Sequence, residues 1–182
     1  MPSADPRLTW YAAALDELAA FLLTDAVTWP LDRHAGLRQD LSLGGLLLVQ
    51  DELKAEAAAL PPEDRHLMET LDHRWEALNQ EQPAALARKA AREQTMRLRL
   101  WSAYLGDLEE GSAAGEYAQQ VRYRVMLERL GDLSSQPTAA EPVDRRLRSL
   151  LRPGAFIWSP ALEKNYPHDR YWFLYGRPSA KG

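Results

Sequence analysis

Residues 83–109 read PAALARKAAREQTMRLRLWSAYLGDLE, and the fold is decided there. Pro83 opens the longest helix of the chain, which runs to about Glu109 before Gly111-Ser112 marks a turn. On a 3.6-residue wheel Leu86, Ala90, Glu93, Arg97, Leu100, Trp101, Tyr104 and Leu108 share the inward face. Arg88, Arg92 and Arg99 fall outside it. Such a stripe has to be buried against other helices.

The flanking sequence supplies them. Asp5 caps a first helix with Pro6 in the N1 position. Its core face holds Leu8, Tyr11, Leu15, Leu18, Ala19, Leu22 and Ala26, and Trp29-Pro30 ends it. Residues 31–41 show no clean period and read as a loop. Ser42 caps a second helix to about Leu60, with Leu46, Val49, Leu53, Ala57 and Leu60 inward. Pro61-Pro62 breaks the chain, and a third helix runs to about Asn79 with Leu67, Leu71, Trp75 and Leu78 inward. A fifth covers about Ala114–Leu130 and stops at Gly131. Ser134–Pro142 has linker composition. A short basic helix, Val143–Leu151, ends at Pro153-Gly154.

Composition agrees. The 182 residues hold 30 Leu and 27 Ala but 5 Val and one Ile, which favours helix over strand throughout. The last 30 residues differ: residues 153–182 carry 7 of the 16 aromatics together with Pro153, Pro160, Pro167 and Pro178, which disfavour helix there. Ala155–Ser159 and Tyr171–Tyr175 read as two short strands or as extended segments pinned to the helices. The expectation is an all-α fold, an antiparallel four- to five-helix bundle with a non-helical, aromatic-rich C-terminal tail packed on it. Residues 1–131 form the bundle, 132–142 the linker, and 143–182 the basic helix and aromatic extension, as one structural domain.

With no cysteine, disulfides, zinc-thiolate sites and a cysteine nucleophile are excluded. Gly-x-Ser-x-Gly, P-loop and dinucleotide-binding motifs are missing as well, so no catalytic residue is expected. Glu63, His66, Glu69, His73 and Glu76 sit opposite the apolar centre of the third helix, on its solvent face. There water would compete for any metal, so no metal or cofactor is expected. His34 and His168 read as loop surface residues. Met1–Arg7 lacks the basic and apolar regions of a secretory signal, and the apolar runs are too short to span a bilayer. The expectation is therefore a soluble, cytoplasmic protein.

Two anomalies point toward function. Glu93 and Arg97 stand i,i+4 inside an apolar stripe, and Gln50 stands among Leu46, Val49 and Leu53. Either the pair is structural, or it belongs to a polar pocket for an anionic or amide-bearing ligand anchored by Arg97, with Trp101, Tyr104 and Gln50 completing the lining. Backbone amides at Gly44-Gly45 are a second possible anion site. The other anomaly is double-sided helices. Trp10, Ala14, Glu17 and Phe21 form a second face on the first helix, and Tyr123, Met126, Leu127 and Leu130 do so on the fifth. The aromatic tail covers one such face; the other is a homodimer interface, with Trp10, Phe21, Tyr123, Leu127 and Leu130 as candidates.

Charge is uneven. Residues 1–111 carry a net −8 and residues 112–182 a net +4. This fits a basic C-terminal part folded on an acidic body, or head-to-tail association. The sequence is read as a non-enzymatic interaction or assembly protein, partnered by a second copy or another protein, with no membrane contact. The alternative is a small-molecule-binding helical bundle, or an enzyme built on one, using Glu93 and Arg97. Nucleic-acid binding through the C-terminal arginines is the weakest reading, given the pI of 5.6.

Overall fold

The computed structural model describes residues 5–32, 36–137 and 139–179, so His34 lies outside it. Seven α-helices and one two-stranded antiparallel sheet make up its regular structure. The helices are α1 (Pro6–Leu22), α2 (Leu43–Glu56), α3 (Pro62–Glu81), α4 (Pro83–Glu109), α5 (Tyr117–Gln120), α6 (Arg122–Ser134) and α7 (Glu141–Leu150). The strands are β1 (Leu151–Phe156) and β2 (Tyr175–Pro178).

The caps are those the sequence indicates. The Asp5 carboxylate accepts from the Arg7 N–H at 2.8 Å, and the Ser42 hydroxyl accepts from the Gly45 N–H at 3.1 Å. Helix α2 is the centre of the molecule. Every residue from Leu43 to Asp51 is buried, because α1, α4, α6 and the turn Pro160–Asn165 surround it. Helix α4 lies along α6, and α1 against α3.

Several boundaries differ from the sequence reading. Helix α1 stops at Leu22 rather than Trp29: the Lys89 ammonium takes the Thr24 and Ala26 carbonyls, both at 2.7 Å, and turns the chain away. Gly131 does not end α6, since an interior glycine costs only about 1 kcal/mol. The helix ends instead at Ser134, followed by Ser135 as its cap at φ 54°. The fifth helix is also split at Val121, and the linker shrinks to residues 135–140. Pro153-Gly154 lies within β1, because a two-stranded ribbon has free edges where the missing proline N–H is tolerated. Tyr171–Tyr175 is mostly a 3-10 turn that precedes the second strand.

Two core stripes are also rotated. Leu100 is 40% exposed, while Leu105 is fully buried in its place. On α3 the buried line is Asp64, Met68, Leu71 and Trp75, with Leu67 and Leu78 at its rim.

Among the described residues, no helix is long and apolar enough to cross a membrane.

Candidate functional site

The Glu93–Arg97 pair is a closed internal clasp. Glu93 is completely buried and Arg97 nearly so. The Gly44 N–H donates to both Glu93 carboxylate oxygens, at 3.1 and 3.2 Å. Arg97 Nε donates to Glu93 Oε1 at 3.1 Å, and Nη2 reaches the Ser42 hydroxyl at 3.0 Å. Tyr123 lies under the guanidinium, 5.4 Å from ring centroid to Cζ. Gly44-Gly45 does present an anion site at a helix start, but the anion there is the chain's own Glu93. Gly44 cannot be larger. A Cβ there would meet Glu93 Oε1 at 2.8 Å and the Met126 Cβ at 2.9 Å. The clasp therefore fixes the start of α2 to α4 and α6. Burial pushes the Glu93 carboxyl up, against the pull of Arg97 and the backbone amides.

The other expected ligand residues lie elsewhere. Gln50 faces α1 and α3, its amide donating to the Tyr11 hydroxyl at 3.1 Å and to Asp72 at 2.9 Å. Trp101 is fully buried, stacked on Tyr104 at 5.6 Å and tilted against Tyr117 at 6.4 Å. Its indole N–H has no acceptor among the described residues. The Tyr104 hydroxyl donates to the Ala113 carbonyl at 3.0 Å and so braces a left-handed residue at φ 62°. Burial, with the Glu116 charge, pushes that hydroxyl up to about 12. The five residues thus divide into a clasp, an aromatic stack and a polar contact on the far side of α2. An open groove of about 470 Å³ runs past Tyr104 and Tyr123, but Glu93, Arg97 and Trp101 are not in its lining.

The candidate interface residues of the first and fifth helices are packed inside the chain. Trp10, Phe21, Leu127 and Leu130 are all fully buried, and Tyr123 is half-buried beneath Arg97. On α1 the cover comes from within the chain. The Trp10 indole donates to the Gln39 carbonyl at 2.9 Å, while Trp29 and Lys89 sit on Phe21. The tail does cover the fifth helix. Trp158 donates to the Ala118 carbonyl at 2.8 Å, the Tyr117 hydroxyl to the Phe173 carbonyl at 2.6 Å, and Arg124 lies over the Phe173 ring.

Much of the charge asymmetry is internal pairing. Arg122 meets Glu52, Arg129 meets Asp51, and Arg146 meets Glu109, each joining the basic C-terminal part to the acidic body. Arg124 is buried between Asp144 and Glu128 with bonds of 2.9 Å. Arg170 clamps Glu128 and Asp132. Asp51 also accepts from the Tyr166 hydroxyl at 2.9 Å, which ties the tail to α2.

In the basic C-terminal part four arginines are left over. Arg145, Arg148, Arg152 and Arg177 are exposed and make no ion pair among the described residues. They lie on α7 and the β1–β2 ribbon. Arg148 rests on the Trp172 ring at 3.8 Å. Arg152 and Arg177 are direct partners across the ribbon. In sequence they look no different from their paired neighbours; only the register of the ribbon brings Arg177 to Arg152. On α3, His66 and His73 are exposed, as expected of a solvated face.

No family model, curated protein or solved structure matches this chain.

Proposed function

We propose that the protein is a soluble, cytoplasmic, non-enzymatic interaction or assembly protein whose contact surface is the C-terminal ribbon with the end of α7. The partner is a second copy of the chain or another protein. One observation carries this reading: in the basic C-terminal part Arg122, Arg124, Arg129, Arg146 and Arg170 are matched inside the fold, whereas Arg152 and Arg177 stand opposite each other on the exposed ribbon with no ion pair among the described residues. Exposed unpaired charge of one sign recruits a complementary surface. A ligand pocket at Glu93 and Arg97 is disfavoured, because their hydrogen bonds run to Ser42, Gly44 and each other. The former candidates Trp10, Phe21, Leu127 and Leu130 are spent on the core, which moves the contact surface to the tail.

A photo-crosslinking amino acid placed at Ala155, exposed beside the arginines, tests this in cells that make the protein. A discrete adduct is expected there and none from the same probe at Glu69, exposed on α3. A mass of twice the chain identifies a homodimer. No adduct at Ala155, or the same adducts at both positions, overturns the reading.

A further inference from the structure

Arg152 and Arg177 break a rule of the ribbon they stand on. Residues directly opposite across an antiparallel pair project from the same face, and like charges there are destabilising. The positions are exposed, so the fold does not require arginine at either. Features that lower stability without structural return are where function is sought.

Their surroundings form a shallow groove of about 400 Å³. Pro153, Gly154, Phe156 and Ile157 line it beside the two arginines. Gly176 sits at φ 156°, and a Cβ there would meet the Arg152 carbonyl oxygen at 2.3 Å, so the two strands approach closely at the arginine pair.

Building on the proposed contact surface, we infer that this groove binds an acidic peptide segment of a partner protein, with carboxylates on Arg152 and Arg177 and an apolar side chain against Phe156 and Ile157. Guanidinium groups hold carboxylates through paired N–H donors, and a ligand carboxylate between them relieves their repulsion. A single-stranded nucleic acid fits less well. Base stacking needs open ring faces, but Phe156 is packed among Trp158, Tyr166 and Tyr175 at centroid distances of 6.5, 6.5 and 5.3 Å. The remaining walls are aliphatic or backbone, and a net charge of −4 repels a long polyphosphate. The prolines Pro153 and Pro178 interrupt both free edges, so recognition runs through side chains rather than an added strand.

The test is a fluorescence-anisotropy titration of the full chain against a fluorescein-labelled peptide, Asp-Glu-Glu-Leu-Asp-Glu, at low salt. Saturable micromolar binding is expected, weakened about tenfold or more in an Arg152→Ala/Arg177→Ala variant whose thermal midpoint is not lowered. An Arg88→Ala/Arg99→Ala variant, which removes two exposed arginines of α4, should bind as the wild type does. Absent binding, or binding untouched by Arg152→Ala/Arg177→Ala, overturns the inference. So does tighter binding of a short oligothymidylate that depends on the same arginines. If the peptide fails while the Ala155 probe still yields its adduct, the interaction reading stands and the acidic-peptide partner falls.

Discussion

The clasp at α2, α4 and α6 and the C-terminal ribbon both bring arginine to a place where its charge has to be answered, and they answer it oppositely. In the clasp every charge has an internal partner. Arg97 is answered by Glu93 and Ser42, and Glu93 in turn by the Gly44 amide. Arg124 is treated the same way by Asp144 and Glu128. On the ribbon, Arg152 is set against Arg177, and neither has an ion pair among the described residues. Buried charge left unmatched would cost several kcal/mol, so a fold has to match it. Solvated charge costs little, so the fold can leave it for a partner.

Breaking the matched side should produce the largest effects. Arg124→Ala strands Asp144 in the interior and should cost about 3–5 kcal/mol in urea denaturation. Gly44→Ala should also be strongly destabilising, because its Cβ would push into both Glu93 and Met126. A cost no larger than that of an exposed substitution would mean the clasp is loose.

Next comes pH. Burial alone would raise the Glu128 carboxyl, but the guanidiniums of Arg170 and Arg124 outweigh it and hold it below the usual 4.5. A depressed folded-state pKa gives stability that is present above the unfolded value and lost as pH falls through the folded one. The protein should therefore lose stability as pH drops below about 4.5, and Glu128→Gln should flatten that loss while lowering stability at neutral pH. An unchanged acid profile in the variant would show that the Arg124–Glu128–Arg170 chain carries no free energy.

The smallest effect belongs to the ribbon and has the opposite sign. Arg152→Glu places opposite charges across the strands and should raise stability by up to about 0.5 kcal/mol while abolishing capture of the acidic peptide. A fall in stability would mean Arg152 has a structural role.

The sequence made the matched side visible and the unmatched side almost invisible. Helix α4, its polar interruption at Glu93 and Arg97, and the caps at Asp5 and Ser42 follow from period and residue type. Where α1 ends does not, because Lys89, distant in sequence, decides it. Nor could periodicity show that Gln50 faces away from Glu93, since α2 is buried nearly all round and its sequence marks no preferred side. The second face holding Trp10 and Phe21 is covered within the chain by loop residues and Lys89, which the period of α1 does not mark, because loops have no period. The ribbon arginines meet only through a register set by Gly176 and a bulge between Pro153 and Phe156.

The contrast is tested most directly by nitrogen-15 NMR of the arginine side chains, reading exchange of each Nε–H with water. The account predicts slow exchange for Arg97 and Arg124 in the free chain, and fast exchange for Arg152 and Arg177 that slows only when the acidic peptide is added. Protected Arg152 and Arg177 Nε–H groups in the free chain, or rapid exchange at Arg97 and Arg124, would contradict it.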